Sequence, residues 1–259
     1  FLYVSPNQGV AALDAALTFT HGDRFKALPG YQVMGSHYHA GLVERLEKSG
    51  SFDTRLNDID AAKGIGINIY GVIDTTPGNK DRLKAQAEYY DVARRLSDKS
   101  FLIMPNEEIL DGPMAVLLGG HNDLMLSKPV FWLPTRSAGQ PLVQQDPKYG
   151  NVYNLGTAAD MMEMTKLENA VIYEPHPRSK GSTGFPEGIK DKAHFQNENF
   201  RGLGYRWGMG IDASETRLCE YRCLGVWDEM SNWIVDQPRP LKFFQAIDQN
   251  SVEVFYCWG

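Results

Sequence analysis

The sequence predicts an α/β domain with a mainly parallel sheet, open or closed into a barrel. Three observations lead there. Short apolar, strand-like runs alternate with helix-period stretches along most of the 259 residues. Several of those strands end in a side chain able to bind a metal ion. No internal repeat, low-complexity tract or serine–glycine linker interrupts the alternation, and a hydrophobic content of 42% suffices for one substantial core.

Taken in order, residues 1–30 are expected to form an approach segment with one helix over Ala11–Leu17. Gln32–His39 reads as a strand. Arg55–Lys63 follows as a short helix, with Leu56, Ile59 and Ala62 on one face and Gly64 as its stop. The run INIYGVID (Ile67–Asp74) is a strand, and Lys80–Ser97 a longer helix with Leu83, Ala87, Tyr90 and Leu96 facing inward. SFLIMP (Ser100–Pro105) is a strand again. Gly112–Asn154, rich in proline, glycine and aromatics, breaks the rhythm and reads as an insertion in the form of a β-hairpin lid. Thr157–Leu167 is a helix that Thr157 can cap. The strand Ala170–Glu174, a helix around Val226–Val235 and the strand Leu241–Asp248 complete the series.

Composition excludes some classes. There are 26 basic against 32 acidic residues, a formal charge of −6, and no basic block, so no nucleic-acid groove is expected. A small anion held by two or three local cations remains compatible. Three cysteines rule out a disulfide scaffold at this size. Cys219 and Cys223, four apart, read as small buried hydrophobes, with a disulfide or metal role as the alternative. No apolar run reaches the roughly 18–20 residues of a membrane span. The chain starts at Phe1, so an export signal is expected to have been removed or never present, and both ends are expected to be trimmed. A soluble protein is expected; compartment and oligomeric state stay open.

The strand ends carry the chemistry. In α/β sheets the C-terminal ends of parallel strands converge on one face, where sites form. His37 and His39 close the first strand and point to the same side, since side chains alternate with period two. Asp74 closes the second, although Asp-Thr-Thr-Pro-Gly is also a good turn. The third runs into Asn106-Glu107-Glu108, the fourth into His176, and the last ends on Asp248. His121, in LLGGHNDLML, sits where a turn would present an imidazole. Tyr173–Glu187 is the densest stretch: after His176 and Pro177 come Arg178, Lys180 and the run Gly181-Ser182-Thr183-Gly184, a composition that suits an anion. His21 and His194 lie in polar, loop-like surroundings and receive no role. No G-x-S-x-G, HExxH, CxxC, P-loop or well-placed G-x-G-x-x-G occurs.

The order of these motifs resembles the PHP (polymerase and histidinol phosphatase) superfamily over roughly residues 30–250. His-x-His closes the first strand; AAKGIGI leads to a strand ending in Asp; a strand runs into Glu, a later one into His-Pro, and the last ends in Asp. The resemblance implies a distorted (β/α)7 barrel over residues 31–259, carrying the insertion at about 112–154 and incomplete at its C-terminal end. It implies one to three divalent ions (zinc, manganese or iron), with His37, His39, Glu108, His176 and Asp248 as ligands, Asp74 nearby and His121 as a further ligand. The chain departs from the family pattern at Thr75 and Asn250, where histidines are usual, and at Asn106, where glycine is usual. The function expected is a metal-dependent hydrolase of a phosphoester or other anionic, carbohydrate-like small molecule. Asp74 or Glu107 would handle the reacting water, and Arg178 with Lys180 and Ser182 would hold the substrate's charge. The alternatives are a hydrolase of glycosidic or amide bonds and a non-catalytic PHP-like binding protein.

Overall fold

A computed structural model describes residues 27–39, 57–75, 81–109, 112–175, 192–204, 235, 242–244 and 249–250. Its elements, in chain order, begin with β1 (Met34–His39), α1 (Asn57–Ile65), β2 (Ile69–Thr75), α2 (Arg82–Leu96) and β3 (Leu102–Ile109). Next come α3 (Gly112–Leu118), β4 (Asn122–Met125), β5 (Phe131–Leu133), β6 (Val143–Asp146), β7 (Gly150–Asn154), α4 (Ala158–Leu167) and β8 (Val171–Glu174). A 3₁₀ turn (Ala193–Gln196), β9 (Phe200–Gly204), β10 (Lys242–Phe244) and β11 (Gln249–Asn250) follow. The expected helix around Val226–Val235, the helix Ala11–Leu17 and all three cysteines lie outside the described residues, apart from Val235 itself.

The main sheet has eight strands in the order β10-β9-β8-β4-β3-β2-β1-β11. Every neighbouring pair is parallel except those made by β4, which runs antiparallel to both β3 and β8. The predicted mixed α/β class and mainly parallel sheet are therefore observed. The sheet is curled. An eight-stranded sheet laid flat would separate its outer strands by seven spacings of about 4.8 Å, roughly 34 Å. Yet β10 and β11, on opposite edges, are joined through residues 245–248, a link of five residue steps that reaches at most about 18 Å. Among the described residues no ladder joins β10 to β11.

Three expectations change. The third strand does not end at Pro105: β3 continues to Ile109, because β4 extends its ladder through Glu107↔Leu124, Glu108↔Asp123 and Ile109↔Asn122. The stretch expected as an insertion from Gly112 supplies α3 and β4 to the main fold, and the separate three-stranded sheet, β5-β7-β6, begins only at Phe131. Of the expected strand Leu241–Asp248 the described part is β10, Lys242–Phe244, while β11 just beyond it and β9 go unforeseen.

The two faces of the main sheet are distinct. Tyr38, Tyr70, Val72, Ile103, Leu124 and Ile172 share one face by register and belong to the main core, which α1 (Ile59, Ala62), α2, α3 and α4 cover. Burial of such side chains contributes about 1.5–3 kcal/mol each. Tyr89 of α2 locks this layer, its hydroxyl lying 2.7 Å from the Val72 carbonyl oxygen and 2.8 Å from that of Asn106. The inner face of α2 is not the expected apolar one. Arg82, Ala85, Gln86, Tyr89, Tyr90, Val92 and Ala93 are buried, whereas Leu83, Ala87 and Leu96 are half-buried. Two polar residues go inward because β5 offers them partners, as described below.

Candidate metal centre

The opposite face of the sheet bears His37, His39, Glu108, Asp123 and Tyr173. His37 and His39 alternate with the core residue Tyr38, so the same periodicity that buries Tyr38 sends both imidazoles the other way. Their Nε2 atoms stand 3.2 Å apart, and His39 Nε2 lies 3.3 Å from Glu108 Oε2. Ligand atoms from His37, His39 and Glu108 all fall within 4.8 Å of one another. His121, the residue just before β4, places Nδ1 3.3 Å from the other Glu108 oxygen, Oε1.

Behind His37 stands Asp123, a residue the sequence reading passed over. Its Oδ2 lies 2.6 Å from His37 Nδ1, and both side chains are fully buried. Burial pushes the Asp123 carboxyl above its ordinary range, with the Glu108 charge adding and the His37 contact opposing. The available signal was its place two residues after His121, inside the buried run NDLM.

This donor set fits a divalent cation. Two imidazole nitrogens and a carboxylate oxygen are donors that zinc, iron and manganese accept. Ligand atoms of a tetrahedral ion, with bonds of about 2.0–2.1 Å, stand about 3.3–3.4 Å apart, close to the 3.2 and 3.3 Å observed.

Glu107 is not part of this cluster. As the next residue on β3 it faces the helix layer, where Arg82 Nη2 contacts its Oε1 at 2.6 Å and Trp132 Nε1 donates to its Oε2 at 2.8 Å. Arg82 Nε donates to the Trp132 carbonyl at 3.0 Å, its guanidinium stacks 3.7 Å from the indole centroid, and Gln86 Oε1 accepts from the Trp132 amide at 3.3 Å. The expectation that Glu107 handles a reacting water is therefore corrected: both its oxygens are committed to a buried network. The aromatics of the Gly112–Asn154 stretch are packing groups in this region. Trp132 and Tyr153 are core residues, and Phe131 packs on Tyr90 and Tyr149.

Backbone register locates three further positions. Asp74 is level with Glu107, and Thr75 is level with Glu108. Asn250 is level with His39. The two places where the PHP pattern carries histidine thus sit beside two members of the cluster. His176, Arg178, Lys180, Ser182, Asp248 and His21 lie outside the described residues. His194, expected in polar surroundings, is instead 5% exposed and packs on Phe200. Burial, with Lys192 nearby, lowers its pKa to about 4.

No protein-family model matches the chain, and no curated protein matches it. Among solved structures it is similar to a two-domain protein from Bacteroides vulgatus containing a predicted PHP-like metal-dependent phosphoesterase. That match has 16% identity and a TM-score of 0.43, covers 88% of this chain, and spans about half (55%) of the other.

Proposed function

We propose that the protein is a metal-dependent hydrolase acting on a phosphoester or a related small anionic substrate, built as a PHP-like barrel over residues 31–259 with residues 1–30 leading into it. One observation carries the reading: at the C-terminal ends of β1 and β3, His39 Nε2 lies 3.2 Å from His37 Nε2 and 3.3 Å from Glu108 Oε2, with ligand atoms of all three residues within 4.8 Å of one another. His37, His39 and Glu108 would hold the ion, and the second oxygen of Glu108 would link His121 to the same centre. The motif order adds His176 and Asp248 as further ligands. When bound, a divalent cation (zinc, manganese or iron) supplies Lewis acidity that acidifies water and polarises the bond to be broken.

The remaining roles belong to side chains of the chain itself. Asp74, which the motif order would assign to the reacting water, is level with Glu107 and not with Glu108, so this reading gives it no part in handling that water. Arg178, with Lys180 and Ser182, holds the negative charge of the substrate as it grows in the transition state. Glu107 is left out of the chemistry by its commitment to Arg82 and Trp132.

A second reading, a cation-binding protein of this architecture without turnover, is favoured by Thr75 and Asn250, non-histidines in register with Glu108 and His39. Metal analysis and hydrolysis assays separate the two. The hydrolase reading expects about one or more divalent ions per chain and phosphoester hydrolysis with added zinc or manganese, both lost in the His37→Ala, His39→Ala double variant. Bound metal without hydrolysis on phosphoester, glycoside and amide panels supports the binding protein. Activity confined to the glycoside or amide panel moves the substrate class. Metal content unchanged in the double variant refutes the centre.

A further inference from the structure

We infer that Asp123 is the positioning residue of the centre: its carboxylate holds the His37 ring with the proton on Nδ1, so that the Nε2 lone pair faces the place a divalent cation would take. The inference rests on the metal-centre reading above. Three features of the structure carry it.

The first is geometry. A 2.6 Å contact between an imidazole nitrogen and a carboxylate oxygen is in the range of a short, charge-assisted hydrogen bond, the arrangement in which the carboxylate accepts from His37 Nδ1–H. The opposite tautomer would set the Nδ1 lone pair against the carboxylate and put a proton on Nε2, where a cation needs an electron pair. The second is burial. Both side chains are fully enclosed, so water does not replace this contact when it is lost.

The third is the construction of the sheet. β4 is the strand that runs against its neighbours, and its register places Asp123 level with Glu108 on one side and Tyr173 on the other. The ladder rung that fixes the ligand Glu108 therefore also fixes the residue that orients the ligand His37. Ligating histidines generally give their second ring N–H to a carboxylate or carbonyl, and loss of that partner typically weakens metal affinity about 10–100-fold.

The test compares the wild-type protein with Asp123→Ala and the isosteric Asp123→Asn. Long-range ¹H–¹⁵N correlation on metal-free, ¹⁵N-labelled protein reads the His37 tautomer. Zinc titration against a chelator reads affinity, and the visible spectrum of the cobalt-substituted protein reads ligand geometry. The expected result is an Nδ1–H tautomer in the wild type and a shift towards Nε2–H in Asp123→Ala. Zinc affinity should fall about 10–100-fold, with an altered cobalt spectrum; Asp123→Asn, able to accept from Nδ1–H without the charge, should lie between. A purely structural Asp123 would lower thermal stability while leaving the tautomer and the affinity of the folded protein untouched. Should Asp123→Ala fail to fold, Asp123→Asn decides by the same readouts. Wild-type tautomer and zinc affinity within about twofold in a folded variant overturn the inference while sparing the metal centre. A wild-type protein that binds none of these metals overturns both.

Discussion

Glu107 and Glu108 are neighbours on one strand, both buried, and they face opposite worlds. Glu107 looks into the helix layer, where a guanidinium and an indole N–H take up its two oxygens. Glu108 looks to the other face, where its oxygens meet the imidazoles of His39 and His121. A buried carboxylate is costly unless its charge is compensated. On one side of β3 the chain supplies the compensation itself. On the other it supplies imidazoles, which can share a cation with the carboxylate. The contrast separates a carboxylate that holds the fold from one that holds a ligand, a distinction that residue type and burial do not make.

The largest expected effect tests the first half of that contrast. In Glu107→Gln the new amide would point N–H at the Trp132 N–H or at the Arg82 guanidinium, leaving Arg82 buried without its countercharge. Breaking a buried ion pair in this way costs about 3–5 kcal/mol, read as a fall in the denaturant midpoint of the metal-free protein. Glu108→Gln should do the reverse. Metal-free stability should hold or rise slightly, because a buried charge is removed, while zinc affinity falls about 100-fold. Similar stability losses for the two variants would erase the distinction. The second effect is the stabilisation that metal brings. Zinc at about 100 times its dissociation constant adds about 2.7 kcal/mol, so wild type and Glu107→Gln should gain several degrees in Tm and Glu108→Gln little or none.

A third expectation carries the contrast to histidine. His37 is matched by a carboxylate, whereas His194 is desolvated against Phe200 with its pKa lowered to about 4. A base whose folded pKa lies below its unfolded value of about 6.5 binds its proton more readily when unfolded. Its contribution is fully present above pH 6.5 and is lost as pH falls towards 4, by at most about 1.4 kcal/mol per pH unit. His194→Asn, whose Nδ2–H can donate to the Leu118 carbonyl in place of the imidazole, should flatten stability across that window in urea titrations. An unchanged slope would show that acid sensitivity arises elsewhere.

Parts of this arrangement are legible in the sequence. Period-two alternation puts His37 and His39 on one side of a strand whatever their partners, and the apolar run before it marks Glu108 as a strand-end carboxylate. Which of two adjacent glutamates faces the histidines depends on how far β3 extends, and that is decided by β4, a reversed strand too short and polar to announce itself. The inner face of α2 was misread for a related reason. Arg82 and Gln86 go inward to meet the peptide of Trp132, 50 and 46 residues away, and local periodicity carries no trace of a partner so distant. Asp123 was missed because its meaning arises only when His37 lies against it, 86 residues earlier in the chain.

The smallest expected effect is a control on the whole comparison. Thr157, foreseen as a cap, begins α4 with a capping box: its hydroxyl accepts from the Asp160 amide while the Asp160 carboxylate accepts from the Thr157 amide. Thr157→Ala removes one of these bonds and should cost about 1 kcal/mol. Because α4 packs on the helix-facing core and contributes nothing to the imidazole cluster, zinc affinity and the His37 tautomer should stay at wild-type values. A Thr157→Ala protein that loses affinity in proportion to its lost stability would mean that any weakening of the fold loosens the centre. The affinity losses in Glu108→Gln and Asp123→Ala would then have to be discounted by that proportion. Unchanged affinity leaves them assigned to the atoms that face the ion.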